Sequence, residues 1–241
     1  MVSEDRGAAL VTGGAVRIGR AIALALARAG YDIALHYHTS GSEAAEVGRQ
    51  IEALGRRQRL FPCDLSDTRG ARSLIAQVFE GLPRCNVLIN NASIFQPVRL
   101  METDERLFER HMNVNFKAPF FLTQEFARHC RSGQVINILD TRVAASDSSH
   151  FIYTLSKKAL FEFTRMAARE LAPGIRVNGV SPGLILPPAG KEAADLDHRA
   201  AAIPLQRKGA LEDLVAAVLF LLENPFITGD CIFVDGGEHL R

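Results

Sequence analysis

Short apolar runs alternate along this chain with segments whose apolar residues recur at helical spacing, and that alternation narrows the choice of folds more than any other feature. Residues 8–12 form a brief apolar run ending in glycines, and 18–29 then read as a helix stopped by Gly30. The same order returns in 32–37 followed by 42–54, and in 59–63 followed by 67–79. After a strand at 87–90 come one long helical region over about 103–131, a strand at 134–139 and a helix carrying Tyr153. A strand at 176–180, a helix at 211–222 and a last strand at 231–234 complete the chain. Strands joined through helices cross over right-handedly, and the parallel sheet they make is covered on both faces. Strand cores such as Ile33-Ala34-Leu35 and Val87-Leu88-Ile89 lack polar alternation, as burial on both sides requires. The expected class is α/β: a doubly wound parallel sheet with helices on both faces, one domain over residues 1–241, with no repeat or linker.

Composition excludes several functions. With 28 basic against 27 acidic residues, the formal charge of +1 supplies no global field for nucleic acid or an anionic membrane. Cys63, Cys85, Cys130 and Cys231 stand far apart, without a Cys-x-x-Cys or Cys/His cluster, so neither a disulfide framework nor a zinc site is indicated. They read as reduced cytosolic thiols. No apolar run reaches the roughly eighteen residues of a membrane span, and the first residues show no basic region followed by an apolar one. A soluble, cytoplasmic protein is expected.

In a doubly wound sheet, ligands bind beyond the carboxyl ends of the strands. The first strand ends in Thr12-Gly13-Gly14-Ala15-Val16-Arg17-Ile18-Gly19, opening a helix. Glycines there let the backbone approach a pyrophosphate at the positive helix end, which points to a dinucleotide; tight turns also need glycine. The second strand ends in His36-Tyr37-His38-Thr39-Ser40, with no carboxylate to bond a ribose 2'-hydroxyl. Histidine, threonine and serine can donate to a phosphate, and with the Arg17 cation nearby this favours NADPH; the bland alternative leaves His36 and His38 as strand residues without a ligand. Asp64 suits an adenine amino group or, equally, a turn before the Ser66-Asp67 helix start. Asn90 and Asn91 close the fourth strand, where an amide can pin neighbouring backbone. Asn115 reads as a helix-kinking residue, or as one that holds water beside Lys157 and extends a proton relay.

Tyr153 and Lys157 lie four apart at the start of a helix and share a face. An ammonium beside a phenol favours the phenolate, so the pair is expected to bring the Tyr153 pKa down from about 10 and make it a proton donor near neutral pH.

Taken in order, Thr12-Gly13 with Gly19, Asn90-Asn91-Ala92, Asn115, Tyr153-x-x-x-Lys157, Ser181-Pro182-Gly183 and Asp235-Gly236-Gly237 resemble a short-chain dehydrogenase/reductase over essentially the whole chain. More closely, the chain is similar to the pteridine reductases and the related bacterial dihydromonapterin reductases. Arg17 inside the glycine turn, His36-Tyr37-His38 with Ser40, Ser93-Ile94-Phe95, Asp140 thirteen residues before Tyr153, and a terminal Arg241 carry that match. Thr39 stands where those reductases have a basic residue. The resemblance implies a Rossmann-type sheet of about seven strands, a homotetramer, and NADPH held by residues that include Gly13, Ile18, Gly19, Leu65, Asn91, Ala92, Ser93, Pro182 and Gly183. It implies a pterin stacked on Phe95 and contacted by Arg17, Ser93, Asp140, Tyr153 and Leu184, with Arg241 reaching a neighbouring subunit's site, and a substrate lid at about 184–208.

Asp140 separates reactions. Most such reductases place a serine hydroxyl nearby to bond a carbonyl as it gains negative charge, and a carboxylate opposes that oxyanion. It suits instead a ring C=N whose nitrogen needs a proton from Asp140 and Tyr153. The expected activity is NADPH-dependent reduction of a dihydropterin, with Asp140, Tyr153, Lys157 and Asn115 catalytic. The alternatives are a carbonyl or ketoacyl reductase, in which Asp140 is only a strand-end cap and Thr141 or Ser146 stands in for serine, and a non-catalytic dinucleotide sensor.

Overall fold

The computed structural model describes residues 6–146, 148–187 and 199–241. Its strands are β1 (Ala8–Val11), β2 (Asp32–Tyr37), β3 (Gln58–Pro62), β4 (Cys85–Asn90), β5 (Gly133–Ile138), β6 (Ile175–Pro182) and β7 (Cys231–Val234). All pair in parallel, in the order β3-β2-β1-β4-β5-β6-β7. Every residue of β1 is buried, as a strand covered on both faces must be.

Two core layers flank the sheet. On one face α1 (Arg17–Arg28), α2 (Gly41–Ala53) and α7 (Leu211–Glu223) contribute Ile22, Leu26, Val47, Ile51, Leu214 and Leu221. On the other, α3 (Thr68–Gly81), α5 (Ala118–His129) and α6 (Phe151–Leu171) contribute Leu74, Ile75, Val78, Leu122, Phe126 and Ala168. The stop at Gly30 has a backbone reason: its φ of 104° is left-handed, and Tyr31 N–H returns to Leu26 O at 3.0 Å. Truncating a fully buried ring such as Phe126 to alanine costs about 3–5 kcal/mol.

The long helical region expected over about 103–131 runs from Glu105 to His129, with a π-helical turn dividing it into two α-helices. α4 (Glu105–Met112) is capped by Asp104, whose side chain accepts from Leu107 N–H, and a π-helical turn over Asn113–Lys117 leads into α5. Pro119 supplies the physical reason. It has no N–H to give the Asn115 carbonyl four residues back, so the α-helical ladder cannot continue there.

The sheet order reverses between β1 and β4, and the carboxyl ends of the central strands part to leave a crevice. Thr12 ties its two sides together. Its N–H and hydroxyl both donate to Ile89 O, at 3.0 and 3.2 Å, and the hydroxyl accepts from Asn91 and Ala92 N–H at 2.9 and 3.0 Å. The expected lid, 184–208, lies partly outside the described residues, which omit 188–198. No helix among the described residues is long and apolar enough to cross a membrane, and none of their His, Cys, Asp and Glu side chains form a group that could hold a metal. The four cysteines are free thiols.

Candidate active site

The crevice is a cleft of about 870 Å³ at the carboxyl ends of β1, β2, β4, β5 and β6. Its floor at the β1–α1 turn is built for close approach. A Cβ at Gly19 would lie 2.1 Å from Gly13 O and 2.5 Å from Asn91 Nδ2, and Gly13 has a φ of +62°. Arg17 adopts a φ of 53°, the left-handed conformation that the glycine of the usual pattern takes without strain. Its guanidinium donates to Pro187 O at 2.5 Å. Ile18, Asp64, Leu65, Ala92, Pro182, Gly183 and Leu184 also line the cleft.

His36 does not have the role expected of it. It is 2% exposed, accepts Gly13 N–H on Nδ1 at 3.1 Å and directs Nε2 to Cys63 O at 3.0 Å. A ring that accepts on one nitrogen and donates on the other is neutral and saturated. Burial, reinforced by His38 and opposed by the Cys63 bond, lowers its pKa to about 4. His36 therefore fixes the glycine turn and has no donor to spare for a phosphate. Tyr37 packs against the core, and neither it nor Thr39 and Ser40 reaches the cleft wall. His38 does, half-exposed, 3.9 Å from an Asp64 oxygen; the other Asp64 oxygen accepts Ser66 N–H at 2.8 Å.

Asn91 lines the cleft, but its amide donates to Thr12 O and Gly13 O at 2.8 and 3.1 Å, so it secures the turn. Asn90 bonds Asn137 and Thr123, a buried polar link between β4, β5 and α5. Asn115 is turned inward by the π turn. Its amide oxygen accepts Ile94 N–H at 2.9 Å and Ser93 Oγ at 3.1 Å, and its nitrogen donates to Ile94 O and Ser156 Oγ, both at 3.1 Å. Of the two roles expected for Asn115, the helix irregularity is present, and the side chain anchors the loop bearing Ser93 and Phe95.

At the end of β5 the Tyr153 hydroxyl donates to Asp140 Oδ2 at 2.8 Å. Asp140 Oδ1 accepts Arg142 N–H at 2.9 Å and lies 3.4 Å from the Arg142 guanidinium. Asp140 is thus also the cap of a 3₁₀ turn over Thr141–Val143. Neither hydroxyl proposed as a stand-in for serine joins the pair. Thr141 Oγ1 is buried and donates to Asp235 Oδ2 at 2.6 Å, and Ser146 is absent from the cleft lining.

The electrostatics of Tyr153 reverse the sequence expectation. Burial first, then Asp140 by its charge and its hydrogen bond, push the phenol well above its usual pKa; Arg142 pulls the other way. Lys157 is 2% exposed, with Nζ on Ile138 O at 2.8 Å and 5.9 Å from the Tyr153 ring centre. Burial lowers its pKa to about 8, opposed by Asp140. The cation acting on the phenol is Arg142, and Tyr153 stands as a protonated donor.

Phe95 is 41% exposed on the cleft, with His150 stacked on it at 4.4 Å between ring centres and Tyr153 edge-on at 4.7 Å. Arg142, His150, Arg199 and Glu238, which no sequence motif marks, also line the cleft wall. Burial raises the Glu238 pKa, against Arg199, 3.6 Å away, and Arg142. Arg241 is exposed and outside its own chain's cleft.

Comparison with known proteins supplies the family. Residues 13–239 match the family model described as Enoyl-(Acyl carrier protein) reductase. Pteridine reductase 1 of Leishmania tarentolae is 33% identical over 277 residues, covering 96% of each chain. The 3-oxoacyl-acyl-carrier-protein reductase FabG of Staphylococcus aureus is also 33% identical, over 96% of this chain and 98% of its own. The solved structure of FolM alternative dihydrofolate reductase 1 from Brucella canis, complexed with NADP, superposes with a TM-score of 0.94 at 36% identity, over 100% of this chain and 97% of that one. By sequence and by fold, then, the chain belongs to the short-chain dehydrogenase/reductases, with a pteridine reductase among its relatives.

Proposed function

We propose that this oxidoreductase uses NADPH to reduce a dihydropterin to the tetrahydro form. The observation that carries the reading is the carboxylate of Asp140 on the Tyr153 hydroxyl at 2.8 Å, where a carbonyl reductase needs a neutral donor. The cleft fits a dinucleotide: Gly13 and Gly19 leave room that a Cβ would fill, at the positive end of α1. NADPH, when bound, supplies hydride to a ring carbon.

The chain's own residues manage the proton. Tyr153, held protonated by burial and by Asp140, hands its hydroxyl proton to the adjoining ring nitrogen. The phenolate left beside Asp140 is offset by Arg142, and solvent entering the cleft reprotonates it. Lys157, fixed on Ile138 O, presents its remaining N–H groups to the cofactor's ribose. Phe95, steadied through Asn115, offers a flat apolar face to the ring. Arg17 is the cation left for the phosphates, with His38 beside it on the cleft wall, once His36 is removed from the set. Assembly as a homotetramer, with Arg241 given to a neighbouring site, belongs to the same proposal.

Ketoacyl reduction is the second reading, favoured by the equal identity to the Staphylococcus aureus enzyme. Purified protein tests both. NADPH oxidation with 7,8-dihydropterin supports the first; oxidation with a 3-ketoacyl thioester and none with any pterin replaces it with the second.

A further inference from the structure

One cation on the cleft wall takes no part in the chemistry above. Among the described residues Arg110 makes no hydrogen bond, ion pair or ring contact, and its exposed side chain lines the cleft. A basic residue in the last turn of a helix ordinarily faces the free carbonyls at the helix end. α4 has no such end, because the π turn carries the helix on and Asn113 N–H takes Arg110 O. Arg110 and Val114, four apart, both line the cleft, as neighbours on one helix face do.

His38, Asp64 and Leu65 stand across the crevice. They follow β2 and β3, on one side of β1, whereas α4 follows β4, on the other. Leu65 and Val114 give this end of the cleft its apolar sides, and Asp64 and Arg110 give it a charge on each wall. One Asp64 oxygen accepts Ser66 N–H at 2.8 Å, and the other, with His38 at 3.9 Å, is open to a donor. The Ser66 bond first, then His38 and Arg110, hold that carboxyl below the usual carboxylate range against its partial burial. An ionised carboxylate in the field of Arg110 opposes a phosphate at this place. A purine uses all the groups present: apolar sides for its ring, a carboxylate for an amino group, and a planar cation for its π face.

We infer that Arg110 is a specificity-determining residue for the base of the dinucleotide: its guanidinium lies flat on a purine held across the crevice, whose exocyclic amino group donates to Asp64. The inference rests on the dinucleotide reading of the cleft and is independent of whether a pterin or a ketoacyl thioester is reduced. Arg17 stays with the phosphates, so the two arginines divide the cofactor between base and backbone.

The test is the affinity for NADPH and for NADH, measured by titration calorimetry on wild type, Arg110→Ala and Arg110→Lys. Arg110→Ala should weaken both cofactors by the same factor, about tenfold, the scale of one base stacked on a cationic plane. The ratio of their two dissociation constants should stay as in wild type, because the purine is common to both. Arg110→Lys keeps the charge without the plane and should bind as weakly as the alanine variant. Nicotinamide mononucleotide, which has no purine, should bind all three proteins alike. No loss in Arg110→Ala, recovery in Arg110→Lys, or a loss shared by the mononucleotide overturns the inference. A loss confined to NADPH also overturns it and puts the cation on the 2'-phosphate instead. Failure of the wild type to bind either cofactor defeats the dinucleotide reading, and this inference with it.

Discussion

At the residue scale the proton sits on Tyr153, and single substitutions there and at Asp140 divide the chemistry. Tyr153→Phe removes the donor without changing the packing, and kcat with dihydropterin should fall about 10²–10⁴-fold while NADPH affinity holds, as stopped-flow and titration would show. Asp140→Ser restores the neutral hydroxyl that carbonyl reduction needs; pterin turnover should drop about a hundredfold and ketone turnover appear. Lys157, with its pKa lowered to about 8 by burial, predicts that kcat/KM falls as pH rises through about 8. The spacing of Asp140 and Tyr153 was legible because it spans a strand end and the helix that returns past it. The saturation of His36 was not, since the strand pattern does not say which turn lies against its ring. Arg142 gave only the weak sign of following a capping aspartate by two residues.

His36 also sets a pH dependence of stability, and its sign follows from its direction of shift. Its pKa is about 4 when folded and near 6.5 when unfolded, so between those values the unfolded chain binds more protons. Its contribution is complete above pH 6.5 and is lost as pH falls toward 4. The loss amounts to roughly 3 kcal/mol. Urea unfolding at pH 7 and pH 5 should show it, and His36→Asn should flatten that part of the profile.

At the scale of elements, the π turn at Asn113–Lys117 connects the fold to the site. It turns the Asn115 amide onto Ile94, so that a helix irregularity holds the loop carrying Phe95. Asn115→Ala leaves the Ile94 N–H without its partner, costing about 1–3 kcal/mol in urea unfolding, and should raise the Michaelis constant for pterin more than that for NADPH. Helix boundaries elsewhere agreed with the periodicity to within a residue or two because the apolar stripe ends where the cap begins. The break at Pro119 was readable in principle. Continuous apolar spacing on both sides of it masked the missing N–H.

At the scale of the whole molecule, the alternation of strands and helices dictated the parallel order, and the reversal at β1 and β4 put the cleft where the glycines are. What the chain pattern does not encode is assembly. Leu155 and Met166 on α6 are 45% and 70% exposed, apolar surface consistent with the proposed tetramer. Sedimentation velocity should return four times the 26.3 kDa chain mass, and Met166→Glu should shift it to smaller species.

The central claim is that the carboxylate at position 140, joined to the Tyr153 hydroxyl, makes this a reductase of ring C=N bonds. Its most direct measurement is the rate of NADPH oxidation by the wild-type protein given 7,8-dihydropterin or a 3-ketoacyl thioester at equal concentration. The account predicts dihydropterin turnover at least about tenfold faster, a difference of some 1.4 kcal/mol in barrier. Turnover of the thioester with none of the dihydropterin contradicts it.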